Sequence, residues 1–565
     1  MDLVTMNILD STLVSICREM GITLMKTSYS TIFNEGLDFT CAIADANGDM
    51  IGVAEYCPAQ IGGMPLLIKT CSQEIPLESL SEGDVIIHND PYRGGLHVPE
   101  HTLFMPFFHQ GKALGYVVAI GHVAEVGGMV PGGFAGEATE IFHEGFRVPP
   151  VKIRKAGRDV PEVWKLLLAN VRTPRYNYGD LMAMIGALEV GAKRLSEVLE
   201  KYGQDTFKKT TADLAEYSER RMRAEISAFP DGHYKFEDEI ENDGNSNKPY
   251  FIRVDVYVQG DEVIADFSRS DKQAKGPINA TLGVTWSATY NAMFHLTDPS
   301  IPKNSGCFKP IRVLAAPGTV ANVNYPAPEV AGNTETHPRL AALVVGALAK
   351  GVPERGFAAE SGTALNFVFG GHHPDYDEYF ACYDLMSGGW GGREGFDGND
   401  CVICMNGNCR FNPTEVFETR FPWVVEDFAM TPDSGGAGKF RGGLGFQRIL
   451  RATRTEITAS QCTDRHRVRP WGLFEGEPGK NGATLIQSHN ENEWKPVTEA
   501  FGKSSSSKYS NITFKPGDKV KLIVPGGGGY GRPQDRDKER IYEDLREGFI
   551  TASNAKKDYN YHGSD

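Results

Sequence analysis

Three apolar runs follow one another between positions 84 and 123, at 84–88, 102–108 and 114–123, and the stretch reads as a sheet. In the last run Tyr116, Val118, Ile120 and His122 share one face by the period-two rule. That rule sets an imidazole at the end of an apolar stripe, on the inward face, where the strand gives way to a Gly-rich loop. His97 and Glu100, three apart, lie in the loop entering the preceding strand. Neighbouring antiparallel strands can bring such a loop and a strand end together. A chain of 565 residues exceeds a single hydrophobic core, so further domains or sub-domains are expected around this sheet.

The stretch 88–144 carries six of the fourteen histidines (His88, His97, His101, His109, His122 and His143), with Asp90, Glu100, Glu125, Glu137, Glu140 and Glu144 among them. Imidazole and carboxylate side by side suit a borderline divalent cation such as Zn²⁺ or Mn²⁺. Glycines around them let backbone come close to a ligand. Against this stands the plainer reading, in which a histidine on an apolar face is a satisfied core residue. Asp38 stands at the start of a strand that runs to the hairpin signal Asn47-Gly48, where an acid either points into a cleft or caps a turn.

Elsewhere the pattern is mixed. Apolar residues at Leu3, Met6, Leu9, Leu13, Ile16, Met20 and Leu24 predict one long amphipathic helix over 2–28. Helices are expected at 160–172, 179–202 and 205–228, with a break near Thr173-Pro174. Strands at 233–241, 249–258 and 262–268 follow a boundary near 230. A helix at 282–297, a strand at 310–315 and a helix at 337–350 come next. Gly332-Asn333-Thr334-Glu335-Thr336 opens that last helix, as a cap or an anion holder. Strands with Gly-rich crossings fill 360–455, then strands at 455–460, 482–487 and 519–524, a helix at 536–548 and a frayed tail over 552–565. The expected class is α+β and multi-domain, with mixed and antiparallel sheets, packed helices and Gly-rich loops. Its expected divisions are 1–230, 231–275, 276–455 and 456–565.

A net charge of −15 argues against nucleic acid and against an anionic membrane surface as partners. No run of eighteen apolar residues spans a bilayer, and the first residues lack the basic patch of a signal peptide, so a cytoplasmic location is expected. Ten thinly spread cysteines fit reduced usage rather than a disulfide framework. Cys401, Cys404 and Cys409 have a spacing that could seed a zinc site, but no fourth ligand lies nearby, and alternating cysteines on a buried strand beside a loop are the plainer reading. The 63 glycines concentrate around 127–136, 388–398, 435–445 and 526–531. No Gly-x4-Gly-Lys-Ser/Thr phosphate loop occurs.

Seven segments in order carry a family likeness: Glu19-Met-Gly-Ile-Thr-Leu-Met25, Asp38-Phe-Thr-Cys-Ala42, Asn89-Asp-Pro-Tyr-x-Gly-Gly95, Gly276-Pro-Ile-Asn-Ala280, Gly332-Asn-Thr-Glu-Thr336, Pro432-Asp-Ser-Gly-Gly-Ala-Gly438 and the Pro-Gly-Gly-Gly-Gly-Tyr-Gly that ends at Gly531. Together they resemble the B subunit of the ATP-dependent hydantoinase/5-oxoprolinase family, which includes the matching subunits of caprolactamase and of acetone and acetophenone carboxylases. The resemblance implies a divalent metal, Zn or Mn, held by Asp38, His97, Glu100 and His122. Two positions depart from the family pattern, since Glu100 and Glu125 stand where an aspartate is usual. It also implies a larger A-type subunit that binds ATP and Mg and phosphorylates the substrate, in a hetero-oligomer such as (αβ)2.

Three functions follow as expectations. The first is hydrolysis of a phosphate-activated cyclic amide, imide or lactam, with Glu125 as candidate general base or as a carboxylate supporting the metal ligands, the plainer alternative being a surface or loop-capping residue. The second is ATP-dependent carboxylation of a ketone through its enol phosphate. The third is a scaffold subunit without catalysis.

Overall fold

The computed structural model describes residues 3–563, so position 2 of the expected first helix and positions 564–565 of the expected tail lie outside the described residues. Its largest sheet has seven antiparallel strands: β1 (Phe39–Asp45), β2 (Met50–Val53), β3 (Val85–His88), β4 (Glu100–His109), β5 (Lys112–His122), β6 (Val151–Lys155) and β7 (Arg158–Asp159). They lie in the order β2-β1-β5-β4-β3-β6-β7. The β1–β2 hairpin turns at Asn47-Gly48, where Gly48 takes a φ of 76° and Asp45 Oδ1 accepts from the amides of Asn47 (2.8 Å) and Asp49 (2.9 Å).

Alternation along β5 feeds two cores. Tyr116, Val118 and Ile120 pack with the helices Pro58–Glu74, Leu282–Leu296 and Thr336–Leu348. Val117 and Ala119 pack with the helices Leu3–Thr27 and Pro174–Tyr202. The first of those two helices buries Met6, Leu9, Leu13, Ile16, Met20 and Leu24 of the predicted stripe and leaves its first member, Leu3, exposed. The second begins at Pro174, five residues before the expected start, because proline at the first helical position needs no hydrogen bond for its missing N–H. The helix Pro58–Glu74 has no counterpart in the sequence reading, and it delivers a residue to the site.

Three further sheets complete the molecule. Gly232–Ile240, Tyr250–Gln259 and Glu262–Asp266 pair antiparallel as expected, and Ile311–Leu314 adds in parallel across the boundary placed at 275. Asn366–His372 and Tyr379–Asp384 share a sheet with Ile457–Cys462 and Lys508–Phe514. Trp423–Met430 and Phe446–Ala452 share another with Lys519–Ile523 and Ala483–Gln487. Both of these sheets draw strands from either side of 455, so the chain there is interleaved rather than divided.

The glycine-rich segments around 389, 436, 443 and 527 pack backbone against backbone. Gly389 donates to the Pro525 carbonyl (3.0 Å), Gly392 to Gly528 (2.9 Å), Gly527 to Gly443 (2.9 Å) and Gly436 to Gly527 (2.8 Å). A Cβ on Gly527 would overlap the Trp390 carbonyl, so a side chain has no room there. The expected frayed tail instead forms a helix, Ala552–Tyr559, capped by Thr551 and packed through Ala555 and Tyr559 on Ile541 and Ile550.

Candidate functional site

Strand register gathers the site at one end of the large sheet. Glu100, at the start of β4, lies directly across from His122, at the end of β5. Phe39 pairs with Gly121, and the His122 amide donates to the Asp38 carbonyl at 3.0 Å. A turn closed by the Glu100 amide on the His97 carbonyl (3.0 Å) folds His97 back beside them. From the first turn of Pro58–Glu74, Gln60 Nε2 reaches both Asp38 Oδ1 (3.1 Å) and Glu100 Oε1 (3.0 Å). His97 Nε2 stands 3.7 Å from Glu100 Oε1, and the rings of His97 and His122 are 5.1 Å apart. None of Asp38, His97, Glu100 and His122 is more than 6% exposed.

The imidazole of His97 is oriented by backbone. Its Nδ1 lies 3.1 Å from the Val330 carbonyl, which accepts only from a protonated nitrogen and so leaves Nε2 as the bare one. His97 Nε2, both ring nitrogens of His122 and Glu100 Oε2 are buried without a hydrogen-bond partner. The His122 ring is stacked on Tyr383 (4.2 Å) and Phe134 (5.7 Å). The Tyr383 hydroxyl donates to Asn366 Oδ1 (2.7 Å), and Asn366 Nδ2 donates to Thr334 Oγ1 (2.9 Å) and Glu335 Oε1 (3.0 Å). The segment 332–336 therefore faces this polar chain, and its Glu335 makes no side-chain capping bond for the helix Thr336–Leu348.

Burial disfavours charge on every member of the cluster. It pushes Asp38 up to about 7, while thiol hydrogen bonds from Cys409 and Cys57 and the amide of Gln60 work the other way. Burial, and then the neighbouring Asp38 carboxylate, push Glu100 well above the usual range. Burial brings His97 down to about 4 and His122 well below its ordinary value. Among the described residues, no lysine or arginine forms an ion pair with Asp38 or Glu100.

Other sequence candidates go elsewhere. Glu125 is buried, but Oε1 accepts from the Gly127 amide and from Arg172 Nη1 (2.9 Å), and Oε2 accepts from the Gly132 amide (3.0 Å). Its carboxylate orders the glycine loop, in which Gly127, Gly128, Gly132 and Gly133 all have positive φ. His88 Nδ1 accepts from the Asp90 amide (3.1 Å), and His101 Nδ1 lies near the Pro99 carbonyl. The expected strand over 401–409 does not form, only an isolated bridge at Val402, and the three cysteines diverge: Cys401 faces the Leu444 carbonyl, Cys404 donates to Asn406 Oδ1 (2.9 Å), and Cys409 meets Asp38 and Cys57.

Among the described residues, no group of three or more His, Cys, Asp or Glu side chains already stands in ligating geometry. The donor set nevertheless fits a divalent cation. Two carboxylates share one amide donor, and two imidazoles bring unpartnered nitrogens to the same buried place, which is what a borderline ion accepts from nitrogen and oxygen donors. A cation there would also supply the positive charge that the buried carboxylates lack. Gln60, Tyr383, Asn366 and Cys57 were missed in the sequence. The missed helix had a legible signal, with Pro58 at its first position and Ile61, Met64, Leu67, Ile68 and Cys71 at helical spacing. Tyr383 and Asn366 had none, since only the fold brings them here.

A buried histidine–carboxylate cluster at the end of an antiparallel sheet, with Tyr383 and Phe134 over one imidazole, defines a multi-domain α+β protein with a buried polar centre. The chain belongs to the hydantoinase B/oxoprolinase family, whose model matches residues 2–533. Caprolactamase subunit beta of Pseudomonas jessenii is 31% identical over 99% of this chain and 96% of its own length. A 5-oxoprolinase of Dictyostelium discoideum is 29% identical over 94% of this chain, which covers 40% of that protein. The crystal structure of the ATP-dependent caprolactamase from Pseudomonas jessenii superposes with a TM-score of 0.92 at 28% identity, covering 100% of this chain and 97% of that one. The nucleotide-free acetone carboxylase structure superposes with a TM-score of 0.90 over 99% of this chain and 79% of that one, a likeness of fold at 20% identity. No helix among the described residues is long and apolar enough to cross a membrane.

Proposed function

We propose that this chain is an enzyme subunit that completes the hydrolysis of a cyclic amide, imide or lactam activated by ATP. A larger hydantoinase A-type partner would bind ATP and Mg and phosphorylate the carbonyl oxygen. The observation that carries the reading is the buried meeting of Asp38, Gln60, His97, Glu100 and His122 with unpartnered donor atoms. A family whose relatives are named caprolactamase and 5-oxoprolinase supports the substrate class.

Asp38, His97, Glu100 and His122 would hold a divalent ion, Zn or Mn. Such an ion supplies Lewis acidity, polarising an oxygen and lowering the pKa of water toward about 7. The chain's own residues set the conditions for this. Val330 fixes the His97 tautomer so that Nε2 keeps its lone pair for the site. Tyr383 and Phe134 cover the His122 ring and exclude bulk water from it. Gln60 holds the two carboxylates together by giving each a proton donor. Glu125 acts as the anchor of the loop 125–132 rather than as a base, because both of its oxygens are engaged.

The test is reconstitution with the A-type subunit, ATP and Mg, offered lactams and hydantoins in one arm and a ketone with bicarbonate in the other. Ring opening coupled to ATP consumption is expected in the first arm. Bicarbonate-dependent C–C bond formation would replace the hydrolase with a ketone carboxylase. No turnover in either arm would leave a scaffold.

A further inference from the structure

Behind His97 lies another buried carboxylate, one that the proposed mechanism does not use. Glu144 follows the short 3-10 turn Ile141–His143 and is 0% exposed. Its Oε1 accepts from two successive amides, Glu329 N at 2.8 Å and Val330 N at 2.9 Å. Those amides open the turn Val330–Gly332, and the Val330 carbonyl is the group that meets His97 Nδ1 at 3.1 Å. The peptide carrying that carbonyl is pinned on its other side by the Ala331 amide, which donates to the Pro277 carbonyl at 3.0 Å. One oxygen thus fixes the backbone on the N-terminal side of the acceptor that decides which way the His97 ring faces.

We propose that Glu144 is a positioning residue for His97: through the Glu329 and Val330 amides it holds the Val330 carbonyl where it selects the Nδ1–H tautomer and turns Nε2 toward Asp38, Glu100 and His122. The inference rests on the reading of His97 as a metal ligand only for its effect on metal affinity, since the effect on the tautomer is a property of the chain alone. Reach matters more than charge. Glutamine keeps an acceptor oxygen at the same distance, aspartate is one methylene too short to serve both amides, and alanine removes the acceptor and strands two buried N–H groups. Outer contacts of this kind, when removed, cost about 10–100-fold in metal affinity.

The experiment compares wild type with Glu144→Ala, Glu144→Asp and Glu144→Gln, using zinc alone as the probe in chelator competition and ¹⁵N-histidine NMR on the metal-free protein. Glu144→Ala and Glu144→Asp should weaken zinc binding by about 10–100-fold, with Glu144→Gln within about threefold of wild type. In a His97→Ala background, Glu144→Ala should add almost nothing, whereas a general loss of structure would add fully. The NMR arm should show one Nδ1–H tautomer for His97 in wild type and in Glu144→Gln, and a mixture in Glu144→Asp and Glu144→Ala. If Glu144→Ala does not fold, the Asp and Gln variants decide the matter alone. Zinc affinity and tautomer unchanged in Glu144→Asp would overturn the inference. A wild type with the single tautomer and no zinc binding would instead overturn the metal reading and leave the positioning of His97 standing.

Discussion

The backbone amide of His122 donates to the carbonyl of Asp38 at 3.0 Å, so two of the candidate ligands are neighbours by strand pairing rather than by side-chain packing. Glu100 joins them through the β4–β5 register. A one-residue slip in either pairing would send a candidate ligand to the opposite face of the sheet. The site is therefore as rigid as the central strands that carry it.

Among the described residues, Gln60 is the side chain that donates to both carboxylates. Gln60→Met keeps the volume and removes the donor, which takes from Glu100 its side-chain hydrogen bond and leaves Asp38 with the thiols of Cys57 and Cys409. The metal-free protein should lose about 1–3 kcal/mol of stability. Excess zinc should reduce that loss, because a cation takes over the role of the amide. Urea unfolding in chelator and in zinc measures both. An equal loss in the two conditions would separate Gln60 from the metal.

Glu125→Gln tests the loop assignment. Removing the charge breaks the 2.9 Å ion pair with Arg172, a partly exposed partner of a fully buried carboxylate. Stability should fall by about 1–3 kcal/mol while zinc content stays at the wild-type level. Unchanged stability with abolished turnover in the reconstituted complex would restore Glu125 as a base.

Gly527→Ala tests the packing of the glycine segments. The new methyl would overlap the Trp390 carbonyl, which the Gly443 amide holds at 2.7 Å, while Gly527 is itself tied to the Gly443 carbonyl at 2.9 Å. We expect a loss of at least about 1–3 kcal/mol, the range for overpacking a close contact. A soluble variant with an unchanged melting temperature would contradict this.

The pH response of His337 can be isolated from that of the metal cluster. Its Nε2 lies 2.9 Å from Ser287 Oγ, and burial pushes its pKa down from the usual 6.5 to about 3. The folded value is depressed, so the unfolded chain binds this proton more readily. The contribution of His337 is therefore fully present above pH 6.5 and is lost progressively as pH falls toward about 3. The stability of wild type relative to His337→Gln should decline below pH 6.5 by up to about 1.4 kcal/mol per pH unit. A constant difference from pH 7.5 to pH 5 would show that His337 carries a proton in the fold.

Much of this was legible in residue patterns, and the failures share a cause. Period-two alternation placed β4 and β5 and set His122 on the inward face. The 3–4 spacing from Met6 to Leu24 placed the first helix. The grouping of Asp38, His97, Glu100 and His122 is implied by the family likeness; in the fold, strand pairing sets Asp38, Glu100 and His122 side by side and a turn brings His97 to them. Gln60 carries no mark in the sequence, since a lone glutamine in the first turn of an apolar helix has no ligand spacing of its own. Val330 and Tyr383 meet His97 and His122 across more than two hundred residues of chain, and Asn366 enters only through Tyr383, so none of the three has a local signal. The interleaving across 455 was hidden for the same reason. Sheet partners chosen over long range leave no local trace in composition.

The central claim is that Asp38, His97, Glu100 and His122 hold one divalent ion. Metal content of the purified protein, measured by inductively coupled plasma mass spectrometry, tests it most directly on wild type beside His97→Ala, His122→Ala and Glu125→Gln. About one equivalent of zinc or manganese in wild type and Glu125→Gln, with loss of that metal in both histidine variants, is the expected result. Equal metal in all four proteins, or none in wild type after growth and purification with added zinc and manganese, would contradict it.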